Sequence, residues 1–249
     1  MQKGIANLVK MKTIKYNSEK DLVDDFNRVY IETLQKGRDV LILRETNTNW
    51  GVVDILSIHY NKTNLIHRRK SMGNTILDLT NLAAYAISYL SDINITTVND
   101  LSNYLKVKNG PLTQIIEILT KRGLVYVYKN GKIRARTKSK TFVIKDILAF
   151  EAKISNWKKA IDQAERHLWF TNSSFVVVPN YTKSTLDKII PECTNHGIGL
   201  IVQTDENSFK VFKDPLHMPH INSFFSWKLN EMLVDRSISD GRLFSPKDT

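Results

Sequence analysis

Apolar and polar residues follow two repeats along this chain, one typical of helices and one typical of strands. After Ser18, which is suited to cap a helix, Leu22, Phe26 and Leu34 recur at helical spacing and predict a helix over residues 18–36. The same reasoning predicts further helices over residues 75–91, 97–104, 111–122, 157–170, 182–195 and 221–236. Runs rich in β-branched residues predict strands over residues 39–46, 50–60, 147–154, 174–179, 197–204 and 208–214.

These elements are distributed unevenly, and the distribution predicts the domain organisation. Strands and helices alternate in residues 1–60 and 141–249, which is typical of a three-layer α/β domain. Residues 61–140 instead hold helices, a short hairpin and a basic linker at residues 67–70. We therefore expect an α/β domain formed by the two outer segments and interrupted by a separate inserted domain.

The charge of the chain is concentrated in that insert. Residues 61–140 contain 14 Lys and Arg but only 4 Asp and Glu, so they carry +10 of the net charge of +11. A surface kept basic only for solubility would spread this charge evenly. A local excess of this size is typical of a domain that binds a polyanion, and it favours nucleic acid as the partner.

The order of elements within the insert also points to nucleic acid. Three predicted helices are followed by two short strands around Asn130 and Gly131, a pair typical of a type I′ hairpin turn. This order, and the segment ILTKRGLVYVYKNGK at residues 118–132, resemble the recognition helix and wing of bacterial winged helix-turn-helix regulators. The resemblance implies contacts to double-stranded DNA from the third helix and the wing, through Lys108, Asn109, Thr113, Gln114, Lys121, Arg122, Lys132, Arg134 and Arg136.

Charged residues in two predicted strands suggest a chemical function for the α/β domain. In a strand over residues 147–154, Glu151 and Lys153 would share one face with Ile147 and Ala149. Asp54 is similarly isolated in the apolar strand over residues 50–60. Because unpaired buried charge is costly, such groups indicate an ion pair, a metal site or a catalytic site. A salt-bridged edge strand, and an Asp that caps a loop, are the structural alternatives.

The order helix, strand, Asp-bearing strand, Glu-x-Lys strand, helix, strand resembles the PD-(D/E)XK nuclease superfamily. The resemblance implies the restriction-endonuclease-like fold, an α/β fold with a mixed sheet flanked by helices, interrupted here by a winged-helix domain. The resemblance implies that Asp54 and Glu151 bind Mg²⁺ or Mn²⁺, that Lys153 is the catalytic lysine, and that Gln163 is the glutamine of the following helix. In this sequence Val53 replaces the proline of the motif, and about ninety residues separate Asp54 from Glu151. That long separation requires the insert to be a domain of its own.

Three functions are compatible with this sequence. The first is an Mg²⁺-dependent DNA endonuclease of the restriction or defence type. The second is a DNA-binding transcriptional regulator in which the nuclease-like domain serves as a scaffold or sensor, and the third is an enzyme that acts on RNA. Intact Asp54, Glu151 and Lys153 favour the first, because an inactive protein would retain costly buried charges for no function.

The remaining features concern the cellular environment and weaker candidate residues. Cys193 is the one cysteine of the chain, which fits a reducing, cytoplasmic environment and a structural role. No segment has the length and apolarity of a membrane span, and a homodimer is possible. His167 could carry a proton or contact phosphate and Glu45 could be an auxiliary acid, although a helix histidine satisfied by its surroundings and a solvated hairpin end fit these two residues better.

Overall fold

The computed structural model describes residues 15–34, 39–72, 78–219 and 222–239. In chain order, the elements of this part are α1 (Glu19–Thr33), β1 (Val40–Thr48), β2 (Gly51–Tyr60), α2 (Lys62–Met72), α3 (Asn81–Ile93), β3 (Ile95–Thr97), α4 (Val98–Leu105), α5 (Asn109–Lys121), β4 (Val125–Val127), β5 (Lys132–Ala135), α6 (Lys138–Thr141), β6 (Ile144–Ala152), α7 (Trp157–His167), β7 (Ser173–Pro179), α8 (Lys183–Asn195), β8 (Gly199–Asp205), β9 (Ser208–Lys213) and α9 (Phe224–Ser239).

These elements form two compact units. The first takes in the described residues within Met1–Arg38, Ile42–Ser57 and Ile147–Pro219, and the second those within Asp39–Leu41, Ile58–Asp146 and His220–Thr249. The C-terminal helix α9 therefore lies in the second unit, whereas the sequence pattern grouped it with the α/β domain. The physical reason is that α9 supplies buried side chains to the helices of the second unit.

A mixed six-stranded sheet in the order β1-β2-β6-β7-β8-β9 organises the α/β part. Strands β6, β7 and β8 run parallel, and β9 pairs with β8 antiparallel. Strands β2 and β6 are neighbours that run in opposite directions, because Asn61 pairs with Val143 near one end and Asp54 meets Ala152 near the other. The expected class, an α/β fold with a mixed sheet flanked by helices, is confirmed at this level.

Helices cover both faces of this sheet. On one face Phe150 of β6 stacks at a ring distance of 5.1 Å on Phe175 of β7 and packs at 5.2 Å against Phe26 of α1. On the other face, apolar side chains of α7 and α8 join those of β7 and β8 in one buried cluster, which includes Val176 and Ile189. Alternate residues of each strand thus enter different cores, as the period of two predicts.

The second unit contains α3, α4 and α5 together with a three-stranded antiparallel sheet in the order β3-β5-β4. Leu90, Leu101, Leu112 and Leu119 are buried between these helices. Tyr85 of α3 stacks on Phe224 of α9, with ring centroids 4.2 Å apart. The helices of this unit therefore share a core to which α9 contributes.

Two local predictions in the second unit are wrong. Residues 67–70 are not a linker but part of α2, and Arg68 there occupies a buried position between Leu65 and Met72. The burial of Arg68 is tolerated because its charge is paired with Glu231. An arginine at this core position interrupts the apolar repeat, so the sequence pattern does not predict the helix.

The turn around Gly131 is not type I′, because only Gly131 and not Asn130 has a positive φ. It is a type I turn followed by a left-handed glycine.

Candidate active site

Glu151 lies near the end of β6 on the face opposite Phe150, and it is almost fully buried, with 1% of the side chain exposed. Its Oε1 accepts a hydrogen bond of 3.1 Å from Nζ of Lys153. Its Oε2 is also buried but has no hydrogen-bond partner within the described protein. Since an unpartnered buried carboxylate oxygen is costly, this atom is suited to receive a cation or a proton.

Asp54 comes from the neighbouring strand β2 and reaches the end of β6. Its Oδ2 accepts a hydrogen bond of 2.8 Å from the backbone N–H of Ala152, the residue that follows Glu151. The carboxylate of Asp54 therefore lies beside Ala152, the last residue of β6. The structure therefore brings together the Asp and the Glu that lie 97 positions apart in the chain.

Lys153 is held in place by three acceptors. Its Nζ donates to Oε1 of Glu151 at 3.1 Å and to the carbonyl oxygen of Ala152 at 3.2 Å, and it pairs with Oε2 of Glu19 at 3.1 Å. An ammonium group has three N–H donors, so all of them are used. The positive charge is thereby fixed beside the buried carboxylate.

Glu19 is a member of this cluster that the sequence analysis did not identify. It is the first residue of α1, which begins after a capping box made by Ser18 and Asp21, and 45% of its side chain is exposed. The sequence shows a helix start with acids in its first turn. Nothing local to that turn indicates contact with a lysine 134 positions later.

The charges of the cluster do not balance, and the pKa values reflect this. Burial and then the nearby Asp54 raise the pKa of Glu151 to about 7, against the opposing effect of Lys153. Burial also raises the pKa of Asp54, with smaller contributions from Glu19 and Glu45. For Lys153, burial lowers the pKa, but Glu151 and Asp54 outweigh that effect and raise it. One ammonium faces three carboxylates, so the site attracts further positive charge.

A divalent cation fits the chemistry of these residues. Within the parts of the chain that the structure describes, no three His, Cys, Asp or Glu residues are grouped as a ready-made metal cage. Magnesium, however, is commonly held by one or two carboxylates, while water and substrate phosphate complete its shell. Asp54 and Glu151 supply two such carboxylates, and the unpartnered Oε2 of Glu151 is the oxygen best suited to bind.

The other candidates of the first unit lie outside this contact network. Gln163 is on α7 with a buried Oε1, and no hydrogen bond among the described residues joins it to the acids or to Lys153. His167 is buried at the end of α7, and burial lowers its pKa to about 4, so it is neutral at pH 7. Cys193 is buried in the core with a raised pKa of about 12, which fits a structural thiol.

Glu45 lies nearer to the site than its strand position suggests. Its side chain is exposed, but its charge contributes to the raised pKa of Asp54. Its φ of 46° is in the left-handed region, which is unfavourable for a residue with a side chain. The adjacent Arg44 pairs with Asp24 of α1. Strand β1 thus places a third strand-borne acid near enough to affect Asp54.

The basic residues predicted to bind DNA are not equivalent in the structure. Lys108, Thr113 and Gln114 are exposed around the first turns of α5; Asn109 lies in the same helix, but its side chain is outside the described set. Lys132 and Arg134 project from β5 and are exposed. Lys121 is also exposed and pairs with Glu117 one helical turn earlier. These residues remain candidates for a nucleic-acid interface.

Arg122 does not belong to that interface. It is fully buried, and its Nη1 and Nη2 donate to Glu231 Oε2 at 2.7 Å and to Asp235 Oδ2 at 2.6 Å. Arg68 shares the same Glu231. The charge of Arg122 is therefore neutralised inside the second unit, and its guanidinium has no surface from which to contact a phosphate.

Comparison with known proteins identifies no relative of this chain. The chain matches no protein-family model, no curated protein and no solved structure. Among the described helices, none combines the length and apolarity needed to span a bilayer.

Proposed function

We propose that this protein is an Mg²⁺-dependent DNA endonuclease in which Asp54, Glu151 and Lys153 form the active site. The observation that carries the proposal is the buried Oε2 of Glu151, which lacks a partner although Asp54 and Lys153 lie beside it. A cluster made only for structural stability would pair this oxygen. A cluster that binds a cation and a phosphodiester leaves such an oxygen available.

The order of elements supports the assignment to the PD-(D/E)XK type. Helix α1 precedes β1 and β2, β6 carries the Glu-x-Lys residues, and α7 and β7 follow. The strands β1, β2, β6 and β7 are adjacent in the sheet in that same order. The segment between Asp54 and Glu151 mostly belongs to the second unit, which accounts for the long interval between the two acids.

The second unit supports DNA as the substrate. Its α3, α4 and α5 are followed by a hairpin, and β3 adds a third strand to the small sheet, as expected for a winged helix. Nearly all of the net charge lies in residues 61–140. Exposed Thr113 and Gln114 near the start of α5 offer side chains suited to read base edges, and exposed Lys132 and Arg134 are suited to bind phosphates.

The chemistry assigned to each residue follows from its contacts. Asp54 and Glu151 would hold the cation, which supplies Lewis-acid stabilisation of charge on the phosphoryl oxygens. Lys153 keeps a fixed positive charge next to Glu151, where it stabilises the additional negative charge that develops as water attacks the phosphodiester. Glu19 positions Lys153 from the opposite side and remains partly solvated.

Cleavage assays test this proposal directly. The protein is incubated with supercoiled plasmid, linear duplex DNA and duplex RNA of the same sequence, in Mg²⁺ or in chelator. We expect nicked or linearised DNA in Mg²⁺ and intact DNA in chelator. Intact DNA in both conditions, together with tight DNA binding, would instead indicate the regulator, and cleavage of the RNA alone would indicate an RNA-directed enzyme.

The DNA-binding face is tested by a pair of double variants with the same change in charge. Lys132→Gln/Arg134→Gln removes two exposed charges of β5, whereas Lys183→Gln/Lys188→Gln removes two exposed charges of α8. We expect the first to reduce the slope of log affinity against log salt by roughly 2, since each phosphate contact contributes about 0.9. Fluorescence anisotropy with labelled duplex DNA at several salt concentrations measures the slope. A larger loss in the α8 variant would assign the DNA interface to the first unit.

A further inference from the structure

A cavity of about 280 Å³ in the second unit is separate from the proposed active site. It is lined by residues of α2, by Gly123 after α5, by Arg136 after β5 and by residues of α6. Asn64 of α2 donates a hydrogen bond of 3.3 Å to the carbonyl oxygen of Ser139, which connects two sides of the cavity. Gly123 has a φ of 61°, a conformation that favours glycine, and a side chain there would contact Arg68.

The lining of this cavity is cationic. Arg68, Arg136 and Lys140 contribute positive charge, and no Asp or Glu is part of the lining. Arg68 is 98% buried, and its charge is matched by Glu231 behind it through hydrogen bonds of 3.1 and 3.3 Å. The charges of Arg136 and Lys140 have no such counterpart among the ion pairs of the described residues.

The same arginines carry unused hydrogen-bond donors. The Nε–H groups of Arg68 and Arg136 are both buried, and neither has a partner within the described protein. The guanidinium of Arg136 is held over the ring of Tyr126 at 4.3 Å, which fixes its plane. Buried N–H donors without acceptors are rare, because each loses its hydrogen bonds to water without replacement. Both arginines line this cavity, and neither Nε–H group is occupied by an acceptor of the described protein.

We propose that this cavity binds a phosphoryl anion. Arginines of fixed orientation are the side chains best matched to phosphate oxygens, and Lys140, Ser139 and Asn64 add donors to the lining. The volume is just below the range of about 300–1,000 Å³ that is typical of drug-sized ligands. It therefore fits a single phosphate group, either as a free anion or as the terminal or backbone phosphate of a larger molecule. This proposal does not depend on nuclease activity in the first unit.

Calorimetric titration of the protein with inorganic phosphate tests the site. We expect one binding event, which Arg136→Gln weakens by about tenfold or more, as is usual for loss of a hydrogen-bonded charge. Lys140→Gln should weaken it in the same direction. Lys145→Gln, which removes an exposed charge of the same unit outside the proposed DNA interface, serves as the matched control and should leave phosphate binding unchanged. Equal phosphate affinity in all four proteins, or no binding to the wild type, would overturn the proposal.

Arg68 is better tested without substitution, because it belongs to the buried ion network. Spectra of ¹⁵N-labelled protein report the Nε–H groups of arginine, and phosphate should shift the signals of Arg68 and Arg136 but not that of Arg166, whose Nε–H donates to the carbonyl oxygen of Asp162. Competition then separates the two sources of phosphate. If the ligand is free, adenosine monophosphate competes with inorganic phosphate and Arg136→Gln leaves DNA affinity intact. If the ligand is a DNA backbone, duplex DNA displaces phosphate and Arg136→Gln lowers DNA affinity. An absence of shifts on adding phosphate would contradict the proposal.

Discussion

Replacing Glu151 with glutamine is expected to abolish Mg²⁺-dependent cleavage and, at the same time, to stabilise the fold above pH 7. The carboxylate of Glu151 is buried beside Asp54, and one of its oxygens has no partner. In the ionised state it therefore destabilises the folded protein. The neutral amide of glutamine keeps the size of the side chain but removes both the repulsion from Asp54 and the negative charge that a cation requires.

The pH dependence of this effect has a definite sign. The pKa of Glu151 rises from an ordinary value of 4.5 to about 7 on folding, so the folded state holds the proton more tightly than the unfolded state. The wild type should lose stability relative to Glu151→Gln as the pH rises from about 4.5 to 7, with little further change above 7. The difference should approach about 3 kcal/mol, close to the free energy equivalent to this rise in pKa.

Urea unfolding of both proteins at pH 4, 6 and 8 measures this difference in the free energy of unfolding. Lys153→Ala is the companion variant, because it removes the proposed catalytic charge but leaves both proposed metal ligands. It should lose roughly a hundredfold or more of the cleavage rate and still respond to Mg²⁺. A Glu151→Gln protein that cleaves DNA like the wild type would eliminate the proposed active site.

Substitution of Arg122 by alanine is expected to destabilise the second unit by about 3–5 kcal/mol, the usual cost of breaking a buried ion pair. Arg122 neutralises Glu231 and Asp235 together, and its loss leaves Asp235 without its cation. The adjacent Lys121 provides the control, since its pair with Glu117 is on the surface and over half of each side chain is exposed. Lys121→Ala should change the stability by less than about 1 kcal/mol.

Equilibrium unfolding in urea, monitored by circular dichroism, measures both variants. This experiment also separates the two roles considered for Arg122. A phosphate contact would give a variant of normal stability with weaker, less salt-dependent DNA binding. A buried ion pair gives a large loss of stability, and the result that would contradict the structural description is an Arg122→Ala protein as stable as Lys121→Ala.

The residues of the proposed active site were accessible to sequence reasoning because strand periodicity is local. The alternation around Glu151 shows which side chains share its face, and an isolated Asp54 in an apolar strand is visible without a structure. The strands could be predicted for the same reason, since each is a run of a few β-branched and apolar residues, whereas the mixed sheet was expected from the family resemblance. Whether these charges perform catalysis stays a prediction.

The residues that sequence reasoning missed depend on contacts between distant segments. Arg122 is the last residue of the predicted recognition helix, and this position suggests a DNA contact. In the structure it pairs instead with Glu231 of α9, 109 positions later in the chain. Arg68 occupies a core position of α2 because its charge is paired with the same Glu231. An arginine at this position interrupts the apolar repeat from which the helix could have been predicted. Glu19 reaches Lys153 across the fold. A local sequence pattern cannot predict such ion pairs, because the two partners are far apart in the sequence and meet only in the folded structure.

The central claim is that Asp54 and Glu151 form a cation site, and titration of Mg²⁺ into the DNA-free protein at pH 8 tests it most directly. Isothermal titration calorimetry should show Mg²⁺ binding to the wild type and to Lys153→Ala. Glu151→Gln, which retains the fold but lacks the carboxylate, should show none. Absence of Mg²⁺ binding to the wild type, or binding of equal affinity to Glu151→Gln, would contradict the account and leave Glu151 as a buried structural acid.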